Sequence, residues 1–177
     1  IYRLSEHSPR PGGYPYPSDY QENLRAGYPE YIREVQTLCR ASRPEFTVLS
    51  GLEVDLMPEE PEFARKAATE YDFDYIIGGL HFQGHWGFDN SQADWDRLDE
   101  GERFRCYGEY YADLAELCSS DVGQIIAHPD LIKLFSVDSF RKWLATAAGW
   151  KCVSETFTLT RDQALIMEVS TEEECQP

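Results

Sequence analysis

The apolar positions of this chain follow two rhythms that take turns. Short runs rich in β-branched and aromatic residues occupy 1–6, 45–54, 74–82, 123–127 and 166–170, and their length and composition predict strands. Between them, apolar residues fall three or four apart, which predicts helices. Ile32, Val35, Leu38 and Cys39 mark one helix over about 29–40, with Pro29 suited to its first turn. Phe63 and Ala67 mark the inner face of a second, started by Pro58, Glu59 and Glu60, where acids meet the positive end of the helix dipole. The strongest pattern spans 100–119, with Phe104, Tyr107, Tyr111, Leu114 and Cys118 in one stripe and acids crowding the first turn. Short helices are predicted at 130–135 and 138–148, and another at 160–165.

Two stretches break the rhythm. Residues 9–17, Pro-Arg-Pro-Gly-Gly-Tyr-Pro-Tyr-Pro, predict a loop, because proline removes amide donors and glycine adds chain entropy. Residues 83–98 form a second, longer loop. Strand and helix otherwise alternate, which argues for parallel β/α units in one domain over 1–177 rather than a sandwich. No repeat, low-complexity tract or linker interrupts it.

Three of the four histidines stand where apolar runs end: His7, His81 and His128. A fourth run closes on Glu53 and Asp55 instead. The intervals from His7 to Glu53, to His81 and to His128 are 46, 28 and 47 residues, each long enough for a crossover between parallel strands. Strands that deliver imidazoles and a carboxylate to one mouth of an α/β barrel can gather a metal ion. A lone histidine at a strand end is ordinarily structural. On spacing alone, a metal site and a set of hydrogen-bonded structural residues are equal readings. His85, inside Gly-His-Trp-Gly, is read as a loop residue.

Charge narrows the partners. Thirty-two acids oppose sixteen bases, a formal charge of −16, and such a field repels nucleic acid. A small phosphorylated substrate stays possible, because divalent cations invert the local potential. No apolar stretch approaches the ~20 residues of a membrane helix, and no secretory signal opens the sequence. Five scattered cysteines without a C-x-x-C pair read as buried thiols in a reducing compartment, the cytoplasm, with a metal-binding cysteine as the alternative. Oligomeric state is not readable.

At these same residues the chain resembles a known family. Glu-His-Ser-Pro at 6–9, Gly-Leu-Glu-Val-Asp at 51–55, Gly-Leu-His-Phe through Trp-Gly-Phe-Asp at 79–89, and His-Pro-Asp-Leu-Ile-Lys at 128–133 stand in the order of the polymerase and histidinol phosphatase (PHP) family. With Glu-Val-Ser-Thr at 168–171, they look most like its histidinol-phosphatase branch. The resemblance implies an α/β fold, a distorted (β/α)7 barrel, with up to three divalent metals (zinc, manganese or iron) at its C-terminal mouth. Carried over by motif, Glu53 bridges two metals, His81 and His128 complete the second, and His7 holds the third. The implied activity is a metal-dependent phosphomonoesterase of histidine biosynthesis, hydrolysing L-histidinol phosphate by attack of a metal-bridging hydroxide. Arg10 and Lys133 are either phosphate contacts or solvated surface groups. Trp86, Phe88 and Asp89 either form the imidazole pocket or pack the loop. Alternatives are a PHP phosphoesterase for a nucleotide or DNA end, and a degenerate module without catalysis.

Two family motifs are absent from these 177 residues: the His-x-His of the first strand and the Asp-x-His of the last. Glu-Glu-Glu-Cys-Gln-Pro follows Thr171 where the family has Ala-Gly-Leu-Arg-Lys. By motif count, only the second metal position keeps three ligands, Glu53, His81 and His128. The expected barrel is therefore incomplete within these residues. Omitted segments or a fragment are expected rather than natural loss, since a barrel without its first and last strands bares two sheet edges.

Overall fold

The computed structural model describes residues 1–14, 20–57 and 59–168. In chain order, β1 (Tyr2–His7) is followed by α1 (Tyr20–Arg40), β2 (Val48–Asp55), α2 (Pro61–Thr69) and β3 (Tyr75–Gly79). A ribbon of β4 (Phe82–Gln83) and β5 (Trp86–Gly87) precedes α3 (Gln92–Asp96), α4 (Glu100–Ser119) and β6 (Ile125–Ile126). A 3-10 turn (Leu131–Lys133), α5 (Val137–Leu144), α6 (Ala147–Asp162) and β7 (Ile166–Met167) complete it.

Five strands make one sheet in the order β1-β2-β3-β6-β7, every neighbouring pair parallel. This is the expected α/β architecture, with crossovers between parallel strands as in a (β/α) barrel. Period-two alternation divides the faces of β2. Leu52 and Val54 point into a cluster with Tyr28 and Ile32 of α1, Ala64 and Ala67 of α2 and Ile76 of β3. Glu53 and Asp55 must then face the other way. Cross-strand register sets His7 beside Glu53 and Asp55 beside Gly79, so the chemistry collects at the C-terminal strand ends.

A second core sits under α4. Tyr107, Tyr110, Tyr111 and Leu114 pack with Phe140 and Trp143 of α5, Val153 of α6 and Trp95 of α3. Aromatic rings fill it in stacked and edge-on pairs, such as Tyr107 with Trp95 at 5.7 Å and with Phe140 at 5.3 Å; such pairs add roughly 0.5–1.5 kcal/mol beyond their burial.

Several boundaries differ from expectation. Helix α1 begins at Tyr20, nine residues before Pro29, which lies inside it. Its buried stripe is Leu24, Tyr28, Ile32 and Val35, while Leu38 is exposed. Proline's fixed φ is helical, and its loss is one amide donor, which four buried contacts outweigh. Helix α2 begins with Pro61 at its first turn; Pro58 lies outside the described residues. The strand expected over 74–82 stops at Gly79, and the 83–98 loop contains the β4–β5 ribbon's end and α3. The helix expected at 160–165 is the end of α6, which starts at Ala147 behind a Thr146 cap. Residues 169–170 of the last expected strand, residues 15–17 of the first loop and Cys175 lie outside the described residues.

Candidate metal centre

Three imidazole nitrogens meet at one carboxylate oxygen. Glu53 Oε1 lies 3.3 Å from His128 Nε2 and 3.8 Å from both His7 Nδ1 and His81 Nε2. Each comes from a different strand end: His7 closes β1, Glu53 sits near the end of β2, His81 is two residues beyond β3, and His128 two beyond β6. The imidazoles stand edge to face, His81 between His7 at 5.5 Å and His128 at 4.8 Å.

This donor set fits a divalent cation. Donors bound tetrahedrally at the usual zinc distance lie roughly 3.3–3.4 Å from one another, close to the separations here. Two overlapping groups share Glu53: with His81 and His128, and with His7 and Asp55. Gly79 forms the floor. A Cβ built there would come within 3.1 Å of Glu53 Oε1 and 3.3 Å of His81 Cε1, so the absent side chain leaves the ligands room to converge.

The surroundings hold the ligands in place. Asp55 Oδ1 accepts from His81 Nδ1 at 2.5 Å, which turns Nε2 toward Glu53, the carboxylate–histidine arrangement that orients metal ligands. Asp55 Oδ2 accepts from Arg10 Nε, and the Arg10 guanidinium lies under the Phe82 ring at 4.8 Å. The Arg10 carbonyl in turn accepts from Gln21 Nε2 at 2.6 Å and Arg25 Nη2 at 2.5 Å. His128 takes φ of +25°, a left-handed conformation that costs about 1–3 kcal/mol for a non-glycine residue. Its carbonyl is fixed by Tyr110 Oη at 3.1 Å and the Leu131 amide at 2.9 Å.

Electrostatics follow from this packing. Burial works to raise the Asp55 carboxyl, but His81 and then Arg10 outweigh it and hold it well below the usual range. Burial works against charging His81, and Asp55 outweighs that, so the imidazole is raised. Burial opposes ionising Glu53, while the His128 hydrogen bond, His7 and His81 lower it. Glu53 is therefore ionised near neutral pH.

The centre opens into a cavity of about 300 Å³ lined by His7, Glu53, His81, Asp89, His128, Leu131 and Glu168. A larger one, about 520 Å³, opens at the opposite end of the sheet around Tyr75, Ile76 and Gln124 and contains no histidine.

The four residues read from the sequence as candidate ligands are brought together, with Asp89 on the cavity wall. Arg10 is placed differently from a surface phosphate contact: it is 3% exposed and reaches the centre through Asp55. Trp86 turns onto Trp95 at 5.3 Å, and Phe88 is buried edge-on to Tyr110 at 5.4 Å, so both rings pack against the core instead of lining the cavity. Lys133 pairs with Asp130 on the 3-10 turn. Sequence reasoning did not assign Asp55 a role in the site; its signal was the two-residue step from Glu53, which puts both carboxylates on one face. Glu168, the first residue of Glu-Val-Ser-Thr, stands on the cavity wall, a place that no local pattern in the sequence marks.

Comparison with known proteins supplies the context. A family model described as PHP domain matches residues 2–172. A protein of Deinococcus radiodurans named "Probable histidinol-phosphatase" is 35% identical over 134 residues, 75% of this chain and 49% of its own. One of the same name from Schizosaccharomyces pombe is 24% identical over 182 residues, covering 96% of this chain and 58% of its own. The chain thus spans about half the length of these relatives. A crystal structure from Listeria monocytogenes, of a protein assigned as a histidinol phosphatase, superposes with a TM-score of 0.60 at 17% identity, covering 94% of this chain and 82% of that one. That likeness is one of fold.

Proposed function

This chain belongs to the PHP-domain family, and on that premise we propose that it is a metal-dependent phosphomonoesterase that hydrolyses L-histidinol phosphate to L-histidinol and phosphate. The observation that carries this reading is the convergence of His7, His81 and His128 nitrogens on Glu53 Oε1 within 3.8 Å. The names of two relatives support the substrate.

His7, Glu53, His81 and His128 would hold the cations, zinc, manganese or iron. A bound divalent cation supplies Lewis acidity toward a phosphoryl oxygen and ionises water near neutral pH. Glu53 brings the negative charge that attracts the cation. Asp55 keeps His81 in the tautomer that offers Nε2. Asp89 and Glu168 set two further carboxylates on the cavity wall, suited to accept from the imidazole N–H and the ammonium group of histidinol. Lys133, on the same turn as Leu131, is the basic side chain we assign to phosphate. The formal charge of −16 favours a small substrate over a nucleic acid.

We place the protein in the cytoplasm, in histidine biosynthesis. Cys39, Cys106, Cys118 and Cys152 are free thiols, as suits a reducing compartment. Among the described residues, no helix is long and apolar enough to cross a membrane.

The test compares phosphate release from L-histidinol phosphate and from a short 5′-phosphorylated oligonucleotide, with manganese or zinc added. Preference for histidinol phosphate, with Glu53→Gln lowering kcat/KM about 100-fold or more, is the expected result. Preference for the oligonucleotide would overturn the substrate. Release from neither, with metal bound, would overturn the activity.

A further inference from the structure

Outside the metal centre, His85 stands at the turn of the β4–β5 ribbon, next to Gly84 with φ of +55°. Its Nδ1 lies 3.2 Å from the Gly13 carbonyl oxygen, and its Nε2 lies 2.9 Å from Glu59 Oε2. Both partners only accept. A neutral imidazole has one N–H and would set a lone pair against one of these oxygens, whereas an imidazolium has a proton for each. The geometry selects the charged ring.

The same ring begins an unbroken series of contacts. His85 stacks on Tyr14 at 4.6 Å and 30°. Tyr14 is fully buried and stands edge-on to Phe82 at 5.2 Å. Phe82 covers the Arg10 guanidinium, Arg10 pairs with Asp55, and Asp55 holds His81. An exposed, titratable side chain is thereby joined to a buried metal ligand through residues 10–14.

We propose that protonated His85 is a positioning residue: it pins the loop over 8–14 to the ribbon and to the turn ahead of α2, and through Arg10 and Asp55 keeps His81 aimed at the metal centre. The charged and titratable groups around it are Glu59, which pairs with it, Glu60, next in the chain, and the Tyr14 phenol. Burial, Glu59 and Glu60 all raise the Tyr14 pKa, so the phenol stays neutral. The flanking ribbon residues Gln83 and Trp86 carry no charge. The latch is closed while both ring nitrogens carry a proton and loosens when one is lost.

Hydrogen exchange of residues 8–14, read by mass spectrometry from pH 5.5 to 8 and corrected for intrinsic rates, tests this without any metal. His85 and Glu59 are 57% and 58% exposed, so the effect is modest, about two- to fivefold. Wild-type protection should fall by that factor as pH rises. His85→Gln and Glu59→Gln should show the lower protection at both ends. His85→Arg, which keeps the cation and a planar group to stack on Tyr14, should keep the higher protection throughout. Flat wild-type protection, or His85→Gln equal to wild type at pH 5.5, would overturn the latch. Only the last contact rests on the metal reading, and zinc release into a chelator tests it separately. Glu59→Gln should release zinc faster than wild type at pH 6 and at the same rate at pH 8; equal rates at both would overturn the coupling to His81. A chain that binds no zinc would sink the metal reading and leave the loop result standing.

Discussion

Glu53 and Asp55 stand two apart on β2 and share a face, yet their neighbours give them opposite duties. Glu53 meets three imidazoles, while Asp55 is sealed between Arg10 and His81. Asp55→Asn should destabilise the fold by about 3–5 kcal/mol, because it leaves the buried Arg10 charge without its partner. The Asp55 pKa is depressed in the fold, so its contribution is present above about pH 3.9 and is lost as pH falls toward the folded value. The His81 pKa is raised, so its contribution is full below about pH 6.5 and is lost as pH rises through the folded value. The Tm of the metal-free chain should therefore peak between roughly pH 4 and 6.5, and Asp55→Asn should flatten that peak. Calorimetry across pH 3–9 checks both. Gly79→Ala offers a cleaner test of the site. Its methyl would press on Glu53 and His81, so zinc affinity should fall about tenfold or more with the far-ultraviolet circular dichroism spectrum unchanged. At this scale the converging side chains were readable, because strand ends and motif order both marked them. The direction of Arg10 was not, since it depends on Asp55, forty-five residues away.

Local signals at the ends of elements differ in how well they survive packing. At α4 they agree with it. The Asp99 side chain accepts from the Glu102 amide, and the Glu102 side chain accepts from the Asp99 amide, a reciprocal capping box. Asp99→Ala should cost about 1 kcal/mol, read as a lower urea midpoint at unchanged slope. At α1 the signals conflict, because Pro29 reads as a first-turn residue. The stripe Leu24, Tyr28, Ile32 carries the helix two turns further toward the N-terminus. At α6 the clue was smaller still. Gly149 lets the helix start close under α5, where a Cβ would meet the Trp143 carbonyl oxygen at 2.2 Å. That close approach is a tertiary fact, invisible to periodicity, and it explains why residues 149–159 do not read as helix.

Across the whole molecule, the parallel order of the strands does the gathering. Because β1, β2, β3, β6 and β7 all run one way, residues as far apart as His7 and Glu168 reach a single cavity. Alternation of strand and helix made this much readable, and the ordered motifs made it specific. The cavity wall was less so, since Trp86 and Phe88 are aromatic whether they stack on a ligand or, as here, pack against Trp95 and Tyr110. Everything proposed about activity depends on whether the four converging side chains hold a cation. Calorimetric titration of the metal-free chain with zinc at pH 7.5 decides that directly. At least about one zinc per chain, with proton release on binding and loss of binding in Glu53→Gln, is the expected result. Occupancy near zero, or Glu53→Gln binding as tightly as wild type, would contradict the assignment of this strand-end cluster as a metal centre.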